Sequence, residues 1–163
     1  TKAAGAPIDV DISKLEAGQL VRVLWRKKPV WIFKRDEKAL ESLDSEDLIK
    51  NLDDPDGTGN SKNQQPSYVT SNFRSIKNKE SVAVIVGVCT HLGCSPTYRP
   101  EPGAADLGGD SWPGGFYCPC HGSKFDLAGR VYAGVPAPTN LVIPPYRYVS
   151  DSLIRIGVDP EIT

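Results

Sequence analysis

Apolar and polar positions alternate along the first third of the chain. Ile8, Val10 and Ile12 alternate with acidic and polar residues, and Val21, Val23 and Trp25 alternate with Arg22 and Arg26. After Lys28-Pro29, read as a break, comes Val30-Trp31-Ile32-Phe33. A period of two in β-branched and aromatic residues predicts half-buried strands. Between 36 and 52 the spacing changes. Ala39, Leu40, Leu43, Leu48 and Ile49 are spaced for helix, and Asp44 or Ser45 can cap a second short helix. The polar stretch Asp53 to Ser67, with Asp-Pro-Asp-Gly and Gly-Asn-Ser, reads as an exposed loop in a surface insertion.

Val82 to Val88 is a continuous apolar run, which predicts a buried strand ending at Cys89. Residues 95–115 are rich in Gly and Pro and read as loop. Leu141 to Ile143, Tyr146 to Val149 and Leu153 to Val158 supply closing strands. The expected fold is all-β: an antiparallel, sandwich-like base domain with a small inserted subdomain at about 88–130 and a short helical insertion. Residues 1–7 read as a flexible tail and 8–163 as one domain. At this length a chain buries about 68–70% of its unfolded surface, enough for a true core.

The balance of 19 basic and 20 acidic residues leaves a net charge of -1. That gives no electrostatic case for binding nucleic acid or a membrane surface. With 15 Gly and 14 Pro, ordered turns are plentiful. No apolar run is long enough to span a bilayer. There is no Met and no leader-like start, so the N-terminus is expected to be processed or cut.

Cysteine and histidine change the picture. All four Cys and both His fall in two short stretches, Cys89-Thr90-His91-Leu92-Gly93-Cys94 and Cys118-Pro119-Cys120-His121-Gly122-Ser123. Each offers a thiolate and an imidazole close together, plus one further Cys. Gly93 and Gly122 permit tight turns that aim ligands inward. A zinc site of two Cys and two His fits this donor set. Covalent haem attachment does not, because only one residue separates Cys118 from Cys120. A Rieske [2Fe–2S] centre, with two Cys on one iron and two His on the other, also fits.

The double motif resembles that of the Rieske proteins of cytochrome bc complexes. The similarity extends to Asp126–Arg130, to Pro136-Ala137-Pro138 and to the segment Val21 to Phe33. The resemblance implies a [2Fe–2S] cluster with Cys89 and Cys118 on the inner iron, His91 and His121 on the outer iron, and a disulfide between Cys94 and Cys120. Related ferredoxins and ring-hydroxylating oxygenases lack that cysteine pair. Ser123 occupies the family position whose hydroxyl donates to a bridging sulfide. The next such position is often Tyr; here it is Phe125, which cannot donate. Leu92 and the loop Gly134 to Pro138 are expected to cover the cluster, with Val135 standing where the family often has Gly directly before Pro136.

By the same resemblance, the chain is the extrinsic head of a quinol–cytochrome c reductase. His121 would hydrogen-bond the quinol, with His91 as its exposed neighbour. The partners would be a cytochrome b subunit with its quinol, and a c-type cytochrome. The head would face the periplasm, held to the inner membrane by a helix not included here. Segment 95–115 resembles proteobacterial members. The rivals are a soluble Rieske-type ferredoxin carrier and a structural zinc module.

Overall fold

The computed structural model describes residues 5–161. Of the expected tail, residues 1–4 lie outside the described residues, as do 162 and 163. Among the described residues the architecture is all-β and antiparallel, with three three-stranded sheets. The first sheet joins β1 (Ile8–Asp11), β9 (Leu153–Ile156) and β8 (Tyr146–Ser150) in that order. The second joins β2 (Leu20–Trp25), β3 (Lys28–Lys34) and β4 (Val82–Val86). The third joins β5 (Thr97–Arg99), β6 (Gly115–Tyr117) and β7 (Lys124–Asp126).

β3 and β4 are covered on both faces, so Val30 to Phe33, expected in a half-buried strand, are fully buried, and Val82 to Val86 form the buried strand expected of a continuous apolar run. Val30, Ile32, Val82, Val84 and Val86 pack toward Val10, Tyr146, Ile154 and Ile156 of the first sheet. Trp31, Phe33, Ala83 and Ile85 point the other way, into a core shared with Phe116, Phe125, Cys89 and Cys118. Trp31 stacks on Phe116, with ring centroids 4.4 Å apart. The small third sheet is thereby mounted on the base through one aromatic contact surface.

Lys28-Pro29 does not break the chain; it opens β3. The turn falls one step earlier, at Arg26 and Lys27, both left-handed with φ of 51° and 63°. Two such residues make the turn whose twist matches a hairpin. Proline is tolerated because the opposing Gly87 carbonyl is satisfied by the Ser95 hydroxyl at 3.1 Å. Leu141 to Ile143, expected as a strand, forms none. Their backbone groups bond three separate segments: Leu141 N–H to Gly129 O, Val142 O from Val86 N–H, and Ile143 N–H to Gln64 O. Pro144 and Pro145 then supply no donor to continue a ladder.

The two short helices form as expected. Asp36 caps α1 (Glu37–Leu43) and Ser45 caps α2 (Glu46–Ile49). Leu43 and Leu48 face the core. The stretch after them is not simply an exposed loop. Asp54 and Ser61 are buried; the Asp54 carboxylate accepts from the N–H groups of Gly59 and Ser61, and Ser61 Oγ accepts from Asn140 N–H. Segment 95–115 holds β5 and two short 3-10 turns, closed by Arg99, which bonds both carboxylate oxygens of Asp106.

Candidate metal centre

The first motif follows β4 and the second caps the hairpin of β6 and β7. The two loops close with the same pair of backbone hydrogen bonds. Cys89 N–H reaches Cys94 O at 2.7 Å and Gly93 N–H returns to Cys89 O at 3.0 Å. Cys118 N–H reaches Ser123 O at 2.8 Å and Gly122 N–H returns to Cys118 O at 2.9 Å. Gly93 and Gly122 occupy equivalent places, with φ of 83° and 81°, a region that disfavours any residue with a Cβ. Within this shared frame His91 is third in its loop and His121 fourth.

The folds of the two loops bring the donors together. Cys89 and Cys118 are free thiols, each about 2% exposed. The rings of His91 and His121 meet edge to face, centroids 4.8 Å apart and planes at 85°. His121 is exposed and His91 half-buried. Cys94 and Cys120 are joined by a disulfide, with Cα atoms 6.6 Å apart. Their sulfurs and that of Cys118 lie within 4.8 Å of one another, but a disulfide offers no thiolate, so that trio is not a metal site.

Two observations test whether this set fits a cluster. His91 Nδ1 is buried with no hydrogen-bond partner, a costly state for a ring nitrogen unless it ligates something. Burial pushes the Cys89 thiol up, and the adjoining Cys118 sulfur pushes it the same way against the His91 backbone N–H and the Ser123 hydroxyl. A thiol whose charged form burial disfavours, set beside a second buried sulfur, is suited to sharing a metal's charge. The donors fit two irons, one with sulfur and one with nitrogen ligands.

A family model described as the Rieske [2Fe–2S] domain matches residues 54–147. The chain belongs to the Rieske [2Fe–2S] family. It is 57% identical over 158 residues to the ubiquinol-cytochrome c reductase iron-sulfur subunit of Allochromatium vinosum, covering 97% of this chain and 72% of that one. It is 44% identical to the subunit of the same name from Blastochloris viridis, covering 96% and 74%. A solved structure titled hyperthermophilic respiratory Complex III aligns with a TM-score of 0.53 at 25% identity, over 93% of this chain and 76% of that one. Among the described residues no helix is long and apolar enough to cross a membrane.

Around the Rieske motifs, Ser123 is fully buried and its Oγ accepts from Ala137 N–H at 2.9 Å. Phe125 is also fully buried, paired with Phe116 across β6 and β7. Leu92 stands 67% exposed beside His91. In the proline loop Gly134 carries the positive φ, 79°, while Pro136 is exposed and Ala137 buried. Thr90 ties the first loop to this proline loop, its Oγ1 donating to Thr139 O at 2.7 Å.

Sequence reading missed Thr90, and it missed the buried charges beneath the Rieske loops. Asp126 Oδ1 accepts from Ala128 and Arg130 N–H, and its Oδ2 pairs with Arg130 Nε at 2.7 Å, both residues fully buried. Arg35 and Arg74 reach in from the base to the carbonyls of Leu127 and Ala128. Burial holds both guanidiniums well below their usual range, Arg35 to about 10 and Arg74 to about 9. The only sequence signal was the similarity of Asp126–Arg130 to the family's continuation.

Proposed function

We propose that this chain is the electron-transfer head of a quinol–cytochrome c oxidoreductase of the translocating kind, with Cys89 and Cys118 holding one iron and His91 and His121 the other. The observation that carries this reading is the pairing of the two imidazole rings beside two buried free thiols, with the remaining cysteines bound to each other. When bound, the cluster supplies one-electron redox chemistry at raised potential, about −150 to +300 mV, because neutral imidazoles replace two thiolates.

The residues of the chain divide the remaining work. His121, exposed, hydrogen-bonds the quinol hydroxyl and takes its proton at the ring nitrogen left free of metal; His91 lies beside it. Ser123 donates toward the sulfurs, which favours added negative charge there. Thr90 and Ser123 fasten the proline loop, with Gly134 and Pro136 at its turn, so that it excludes water on one side. Leu92, exposed next to His91, lies against the quinone pocket. Residues 88–130 act as the cluster-binding unit.

The partners in this reading are a cytochrome b subunit with its quinol and a c-type cytochrome. The relatives' printed name, ubiquinol-cytochrome c reductase iron-sulfur subunit, supports them. The location is the periplasmic face of a bacterial inner membrane, and the Cys94–Cys120 disulfide suits that oxidising compartment. The test is a redox titration of the loaded protein over pH. A potential of about +100 mV or higher that falls by up to about 59 mV per pH unit at alkaline pH supports the proposal. A potential near −150 mV with no pH dependence refutes it and favours a ferredoxin-type carrier.

A further inference from the structure

We propose that a cavity beside the first metal loop binds an anionic amphiphile, with its carboxylate or phosphate head on Arg26 and Lys28 and its aliphatic chain among Val86, Val142 and Ile143. The cavity is about 330 Å³ and lies between the tip of the β2–β3 hairpin, the end of β4 and the segment around Pro144. Its walls are mainly apolar, and Cys89 and Thr90 form part of them. Arg26 and Lys28 line it as well, and among the described residues no acidic side chain does. That combination, an apolar body with a few convergent charges, is the composition of ligand sites.

Among the described residues no carboxylate answers the charge at the rim. Neither Arg26 nor Lys28 is in an ion pair among the described residues. Arg26 is also pre-placed. It sits in the left-handed turn, and its guanidinium lies over the Trp25 ring at 4.5 Å. Val142 leaves 36% of its surface exposed next to these cations. A neutral apolar ligand would leave both charges unused, and a cationic one would be repelled.

The same head chemistry comes from a free fatty acid or from an anionic phospholipid, so the test has an arm for each. Calorimetry on the cluster-loaded protein uses sodium decanoate below its micellar concentration, with decyltrimethylammonium as the control of opposite charge. Single-site saturable binding of decanoate, absent for the cation, is expected. It should weaken at least tenfold in Arg26→Gln/Lys28→Gln, and stay unchanged in Lys38→Gln/Lys62→Gln, whose lysines lie outside the cavity. Co-sedimentation with phosphatidylglycerol and phosphatidylcholine vesicles then identifies the source: selective binding to the former, lost in the same double variant, adds the lipid; its absence leaves the free acid. Absent or unsaturable decanoate binding, equal binding of the cation, or no loss in the double variant overturns the proposal. Vesicle binding without decanoate binding also overturns it, because the cavity would then be idle. Melting temperatures of the variants verify that each remains folded.

Discussion

The Ser123 hydroxyl joins the second metal loop to the proline loop, accepting from the Ala137 N–H at 2.9 Å across 14 residues of chain. The same hydroxyl opposes the upward push of burial on the Cys89 thiol. Ser123→Ala removes both contacts. The orphaned buried N–H is expected to cost about 1–3 kcal/mol, read as a lower melting temperature. Loss of one net hydrogen bond to the sulfurs, about 0.5–1.5 kcal/mol, should lower the midpoint potential by about 20–65 mV. An unchanged voltammogram would remove Ser123 from the tuning of the cluster.

Phe125 lies two residues after Ser123, within β7, fully buried and without a donor. Phe125→Tyr adds a hydroxyl at the position where the family resemblance leads one to expect a donor. Voltammetry should show a rise of about 20–65 mV, the mirror image of the serine loss. No rise would mean that the phenol does not reach a cysteine sulfur and that this position was assigned wrongly.

The disulfide of Cys94 and Cys120 fixes the two loops to each other across 26 residues. Chain entropy alone assigns such a closure about 3.5 kcal/mol. The paired variant Cys94→Ala/Cys120→Ala should therefore melt lower and release iron faster under a chelator. Iron release measured by absorbance, at a rate equal to that of the parent, would show that the loops hold their geometry without the bridge.

Much of this was legible in the residues before any geometry. Val82 to Val86 announced a buried strand because one covered on both faces needs no polar alternation, while Val30 to Phe33 announced a strand but not its full burial. The metal loops were legible because their six Cys and His carry a donor pattern that packing does not explain. What stayed hidden depends on partners far along the chain. Nothing local marks Arg35 or Arg74, which spend their donors on carbonyls such as Leu127 O and Ala128 O, 92 and 54 residues away. Asp54 read as a loop residue, yet its carboxylate organises a buried turn. Leu141 to Ile143 had strand composition, but each residue's backbone was already committed to a different segment.

In the proposed function two imidazoles, His91 and His121, ligate the outer iron. Pulsed EPR of the dithionite-reduced, freshly loaded protein tests it most directly, because nitrogen coordinated to a paramagnetic cluster gives resolved couplings. Two distinct nitrogen couplings are expected, falling to one in His121→Cys. A spectrum with no nitrogen coupling, or a preparation holding zinc and no iron, would rule out imidazole ligation of a [2Fe–2S] cluster here.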